Sequence, residues 1–177
     1  KKLFQSDDAN FEAFYLRSKE FFAREDIELR TKSNVTSIDR KTKIISLENG
    51  DDIIYDILIL AMGADAKLPG FICEQVSNIH VLRDTQDALK LKKTAIKSEK
   101  AVIVGGGFIG LEVASTLRMA GLVVDIVECE LRLLPRVSSP QISEFFRLLH
   151  NKQGVSIHFG EAVTEIIYSD NGQASSV

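Results

Sequence analysis

At 177 residues, with 45% hydrophobic and 27% charged side chains, the chain has a globular balance and length for one large domain or two small ones. A formal net charge of -3 excludes the basic surface that nucleic acid or an anionic membrane would demand, and the lysines of 90–100, interleaved with acids and apolar residues, read as a solvated helix face. Two cysteines, Cys73 and Cys129, stand in no paired spacing, so neither a disulfide framework nor a zinc site follows, and a reduced cytoplasmic protein is expected. No apolar run approaches the roughly 18 residues of a membrane span, and "KKLFQSDDAN" lacks the apolar stretch of a signal peptide.

In chain order, 10–24 reads as an amphipathic helix. Asn10 is its expected N-cap, and Phe11, Phe14, Tyr15, Phe21 and Phe22 lie on one side. "IELR" reads as a short strand. "NVTSIDRKTKIISLENGDDIIYDILIL" reads as a three-stranded meander with an Asn49-Gly50 hairpin signal. The continuous apolar run 57–61 is the pattern of a buried parallel strand, ending at Gly63 in "AMGADAKLPG". A domain boundary is expected near Asn78, giving domains of 1–77 and 78–177. A helix capped by Asp84 follows, then a strand 101–104, a helix 108–120 ended by Gly121, and a strand 123–128. The last elements are a helix 141–152 and strands 155–159 and 163–168. "SDNGQASSV" then reads as a turn leading into another strand. Both ends of the chain read as cut.

The chemistry concentrates in "AVIVGGGFIGLEVASTLRMAGLVVDIVE". Gly105 lets the chain turn tightly out of the strand. Gly107, without a Cβ, lets backbone approach a pyrophosphate, and Gly110 lets the helix pack closely on the strand. With Phe108 and Ile109 between them, these glycines open a helix whose free N–H groups and dipole face the phosphates. Glu128 ends the next strand, about 20 residues on, where a carboxylate can bond a ribose 2′-hydroxyl. A carboxylate there favours NADH over NADPH. Arg132 and Arg136, close by, could neutralise a 2′-phosphate and keep NADPH open. His80, His150 and His158 fit no metal or triad spacing, and no metal site is expected.

"VIVGGGFIGLEVA" followed by "VVDIVECELRLLPR" resembles the NAD domain of FAD-dependent pyridine-nucleotide oxidoreductases. The nearest likeness is to ferredoxin reductases that serve bacterial cytochrome P450 and ring-dioxygenase systems. "YDILILAMGADAKLPG" resembles the strand and turn that lie against the flavin, with Met62 where threonine is usual, so Ala61, Met62 and Gly63 are implied flavin contacts. The implied fold is α/β: a Rossmann-like dinucleotide-binding βαβ domain, lacking its C-terminal strands, plus part of a related FAD-binding domain with a small β-meander. The implied reaction is electron transfer from NADH through FAD to a ferredoxin or Rieske-type iron–sulfur protein. A homo-oligomeric assembly is compatible with it. The resemblance gives Phe108 the place of an aromatic gate over the nicotinamide, against the alternative of a core phenylalanine. It gives Glu112 a place near the nicotinamide amide, against a solvated helix glutamate. Lys1 falls where a lysine pairs with that glutamate. The earlier fingerprint that holds the ADP half of FAD, and an interface domain, are absent, so the chain reads as an internal fragment. The competing readings are a non-catalytic dinucleotide-binding remnant and a piece of a dithiol-type flavoprotein reductase.

Overall fold

The computed structural model describes residues 15–72, 76–170 and 172–177. Lys1, Cys73 and the first part of the expected helix at 10–24 lie outside the described residues. Two compact units form, one ending at Ala64 and one of Asp65–Val177, so the stretch 65–77 clusters with the second.

In the first unit, helix α1 is short, Lys19–Arg24. Ser18 caps it by accepting the Phe21 N–H, and residues 15–18 are not helical. A hydroxyl that satisfies an orphan N–H fixes the helix start more firmly than the apolar stripe upstream of it. Strands β1 (Val35–Asp39), β2 (Ile44–Leu47) and β3 (Asp52–Ile54) form the expected antiparallel meander. The first turn is held by Asp39, whose Oδ1 accepts the N–H groups of Lys41 and Thr42. The second passes Gly50 at φ +90°, a conformation that glycine adopts without strain.

Two expected strands do not form. Residues 27–30 and 57–61 take no regular structure, and Ile57 and Ile59 are more than four-fifths exposed. An apolar run becomes a strand only when a neighbour takes up its hydrogen bonds, and among the described residues none lies beside either segment.

The second unit opens with helix α2, Thr85–Ala95. Asp84 and Asp87 form a reciprocal capping box, each side chain bonding the other's backbone. Strands β4 (Lys100–Val104), β5 (Val123–Glu128) and β6 (Val155–Phe159) then make a parallel sheet in that order. Helix α3 (Phe108–Met119) crosses from β4 to β5, and helix α4 (Pro140–Lys152) from β5 to β6. Both pack on one face of the sheet. Val124 and Ile126 point into that face with no exposure, against Leu111, Ala114 and Leu117, while Val102 and Val104 stay exposed on the other. Each such buried Val, Leu or Ile side chain contributes about 1.5–3 kcal/mol. The strand expected at 163–168 shortens to β7, Ile167–Tyr168, paired antiparallel with β8, Ala174–Ser176, after the expected turn. Asn78 bonds both the N–H and the C=O of Ala174, tying the start of this region to that hairpin.

Candidate dinucleotide site

The chain leaves β4 at Gly105 with φ +106°, and the Gly105 N–H donates to Val127 O at 2.8 Å, so the turn stays fastened to β5. Gly107 is the N-cap of α3 and supplies no side-chain cap. The first turn of α3 carries no acidic residue, and the space where a Gly107 Cβ would stand is open. Free N–H groups, the positive end of the helix dipole and open space in front of them suit a pyrophosphate. A Cβ on Gly110 would collide with the Gly105 carbonyl oxygen and stand 3.3 Å from Ile103 Cγ2. Glycine at this position is therefore what lets α3 descend onto β4.

Glu128 ends β5, as expected, and is only 7% exposed. Its Oε2 accepts the Gly106 N–H at 2.6 Å, and its Oε1 accepts the Glu130 N–H at 2.9 Å. Burial alone would raise its pKa. These backbone donors, with the Cys129 thiol at 3.4 Å, outweigh burial and hold the carboxyl below the ordinary glutamate range. The same hydrogen bond to Glu128 pushes the Cys129 thiol up. A charged carboxylate thus sits under the glycine turn at neutral pH.

The two arginines near Glu128 differ. Arg132 is consumed inside the 128–139 loop, donating to Ser138 O, Pro135 O and Ser143 Oγ at 2.7–2.9 Å. Arg136 is exposed and carries no side-chain bond among the described residues. Phe108 and Ile109 are 59% and 63% exposed, so Phe108 is not a core phenylalanine within this unit. Glu112 is exposed one turn along α3, and its charge reaches His150. Ala61, Met62 and Gly63 lie in an exposed, irregular stretch of the first unit, with Gly63 at φ +71°.

The histidines scatter. His158 pairs with Asp125 at 2.8 Å on exposed strand positions, and His150 is buried on α4. His80 is half-buried with an unpaired Nε2 among the described residues, beside a 180 Å³ hollow lined by Leu68, Ile79 and Lys90. No cluster able to hold a metal occurs among the described residues, and no helix there is long and apolar enough to cross a membrane.

Sequence reasoning overlooked Gly106 and Ser143. A Cβ on Gly106 would stand 2.6 Å from Leu133 Cδ2 and 3.1 Å from Glu128 Oε2, so the middle glycine is crowded where Gly105 and Gly107 face open space. The fingerprint leaves this position open, but the run of three glycines hinted at it. Ser143, 2% exposed, donates to Leu133 O and accepts from Arg132. No pattern in the sequence marks it.

A parallel βαβ unit with a glycine turn, an uncapped helix start and an acid closing the second strand defines a dinucleotide-binding α/β protein. The chain belongs to the pyridine nucleotide-disulphide oxidoreductase family, whose sequence profile matches residues 2–177. It is 34% identical over 165 residues to putidaredoxin reductase CamA of Pseudomonas putida, covering 92% of this chain and 39% of that protein. It is 30% identical to a rubredoxin-NAD(+) reductase of Pseudomonas putida, covering 93% of this chain and 43% of the relative. The crystal structure of the ferredoxin reductase for the CYP199A2 system of Rhodopseudomonas palustris superposes with a TM-score of 0.85 at 31% identity, covering 99% of this chain and 45% of that one. The chain thus spans about two-fifths of the length of the curated relatives it matches. Its likeness is to the ferredoxin-reductase type, as the sequence motifs implied.

Proposed function

We propose that the protein carrying this chain is an FAD-dependent NADH:ferredoxin-type reductase of the cytoplasm. Residues 78–177 supply its nicotinamide-dinucleotide domain and 1–77 part of its FAD-binding domain. The observation that carries this reading is the open glycine turn at the start of α3, with the ionised Glu128 lodged beneath it. The names of the similar reductases support an iron–sulfur protein as electron acceptor. When bound, FAD would take a hydride from NADH and release electrons singly to a ferredoxin or Rieske-type partner.

The chain's own residues have separable tasks. Gly105, Gly107 and Gly110 shape the turn, whose N–H groups hold the pyrophosphate. Glu128 meets the adenosine ribose, and its charge repels a 2′-phosphate. Arg132 has its donors committed to the loop and does not offer them to a 2′-phosphate, which leaves Arg136 as the nearby cation with donors to give. Phe108 and Ile109, exposed beside the turn, cover the nicotinamide end. Glu112 orients the nicotinamide with Lys1 as its partner. Ala61, Met62 and Gly63 form one wall of the flavin site.

Stopped-flow mixing of the full-length flavoprotein with NADH tests this. The visible flavin band should bleach, and Glu112→Ala should slow bleaching about tenfold while weakening NADH binding less, the signature of lost positioning. A wild type that NADH does not bleach contradicts the reductase reading. An unchanged rate in Glu112→Ala returns that residue to a solvated helix face.

A further inference from the structure

Glu128 does something that a ribose contact does not require. Its Oε2 accepts the Gly106 N–H in a buried 2.6 Å bond, and its Oε1 is turned the other way to accept the Glu130 N–H. On the far side of the same residue, the Gly106 carbonyl accepts the Leu134 N–H at 3.2 Å. Leu133, fully buried, closes the space over Gly106, where a Cβ would stand 2.6 Å from its Cδ2 and force it to shift. Leu134 takes this position at φ +51°, an uncommon conformation that the surrounding bonds must hold. Those bonds come from Arg132 and Ser143, which gather the carbonyls of 133, 135 and 138. The middle of the glycine turn is therefore gripped at its N–H, its carbonyl and its α-carbon by the segment 128–134.

We propose that Glu128 is a positioning residue for the pyrophosphate, clamping Gly106 so that the turn is set before the nucleotide arrives, in addition to any ribose contact. This rests on the reading of the turn as a nicotinamide-dinucleotide site. It makes a prediction that a ribose contact alone does not. A carboxylate satisfies two backbone N–H groups at once, whereas a glutamine of the same shape offers one oxygen and one donor. In Glu128→Gln, either Gly106 or Glu130 must present its N–H to an NH2 group.

Binding to the oxidised full-length protein is measured by calorimetry with unreactive tetrahydro-NAD and with its 2′-deoxyadenosine analogue. The clamp predicts that Glu128→Gln weakens both ligands about tenfold or more, as expected for a lost charge-assisted bond. If the analogue binds wild type and Glu128→Gln equally, Glu128 acts through the ribose hydroxyl alone and the clamp is overturned. If wild type binds neither ligand, the dinucleotide reading fails and the clamp falls with it. Should Glu128→Gln not fold, amide exchange of the unliganded wild type decides. Slow exchange at Gly106 is expected, and exchange as fast as at the uncapped N–H groups of the α3 first turn overturns the clamp.

Discussion

Gly110 shows at the scale of one residue why the fingerprint needs glycine. Its missing Cβ is the gap through which the Gly105 carbonyl passes, so Gly110→Ala must lift α3 off β4. Overpacking of this kind costs about 1–3 kcal/mol, and the loss should appear as a lower Tm together with weaker nucleotide binding. An unchanged Tm would show that the helix can shift freely. The turn at Gly105, the close packing at Gly110 and the place of Glu128 at the end of β5 were legible because they depend on spacing within one βαβ unit. Gly106 was not, because its constraint comes from Leu133 and Leu134, in a loop whose conformation no local pattern announces. The internal use of Arg132 was hidden for the same reason: a sequence shows that an arginine is near, and only the loop shows that its donors are spent.

The elements that sequence anticipated well are those whose ends carry their own chemistry. The Asp84–Asp87 capping box starts α2, Gly121 at φ +95° ends α3, and β5 runs over the expected residues. The failures at 27–30, an alternating segment, and 57–61, an apolar run, were both judged as strands without a pairing partner. The helix expected over 10–24 is interrupted at 15–18, because the Ser18 hydroxyl starts α1 at Lys19. Strand β7 fell short because its pairing with β8 spans few residues. Between elements, Arg118 is the clearest tie. It donates to Leu122 O at 2.5 Å and to Gln153 O at 3.0 Å, and lies against Gly154 at φ +81°. It joins the end of α3 to the α4–β6 turn. Arg118→Ala should lower unfolding free energy by about 1–2 kcal/mol through the carbonyls it leaves unpaired. Chemical denaturation would measure this, and a loss within error would mean that water replaces the guanidinium at no cost.

At the scale of the whole molecule, buried Glu128 and His150 and half-buried His80, among the described residues, make stability depend on pH in the same direction. Glu128 has a lowered carboxyl pKa, so its contribution is present above the unfolded glutamate value and is lost as pH falls through the folded one. His150 is lowered by burial, with Glu112 opposing. Its neutral form is favoured in the fold, and protonation below about pH 6.5 favours unfolding. The Tm should therefore fall as pH drops through the ordinary histidine range, about 6.5, while His150 and His80 charge, and fall again below the ordinary glutamate range. His150→Gln should flatten the first decline, and a decline unchanged in that variant would assign it to other groups. The more direct test concerns the nucleotide that the folded βαβ unit selects. Glu128 is ionised, nearly buried and bonded to the turn, while Arg132 is spent on the loop carbonyls. Steady-state kcat/KM of the full-length protein for NADH and NADPH, measured in one buffer, compares the two cofactors at this site. A preference for NADH of about tenfold or more is predicted, from about 1–3 kcal/mol of lost ribose bonding and added repulsion for the phosphate. Equal values, or a preference for NADPH, would contradict the account.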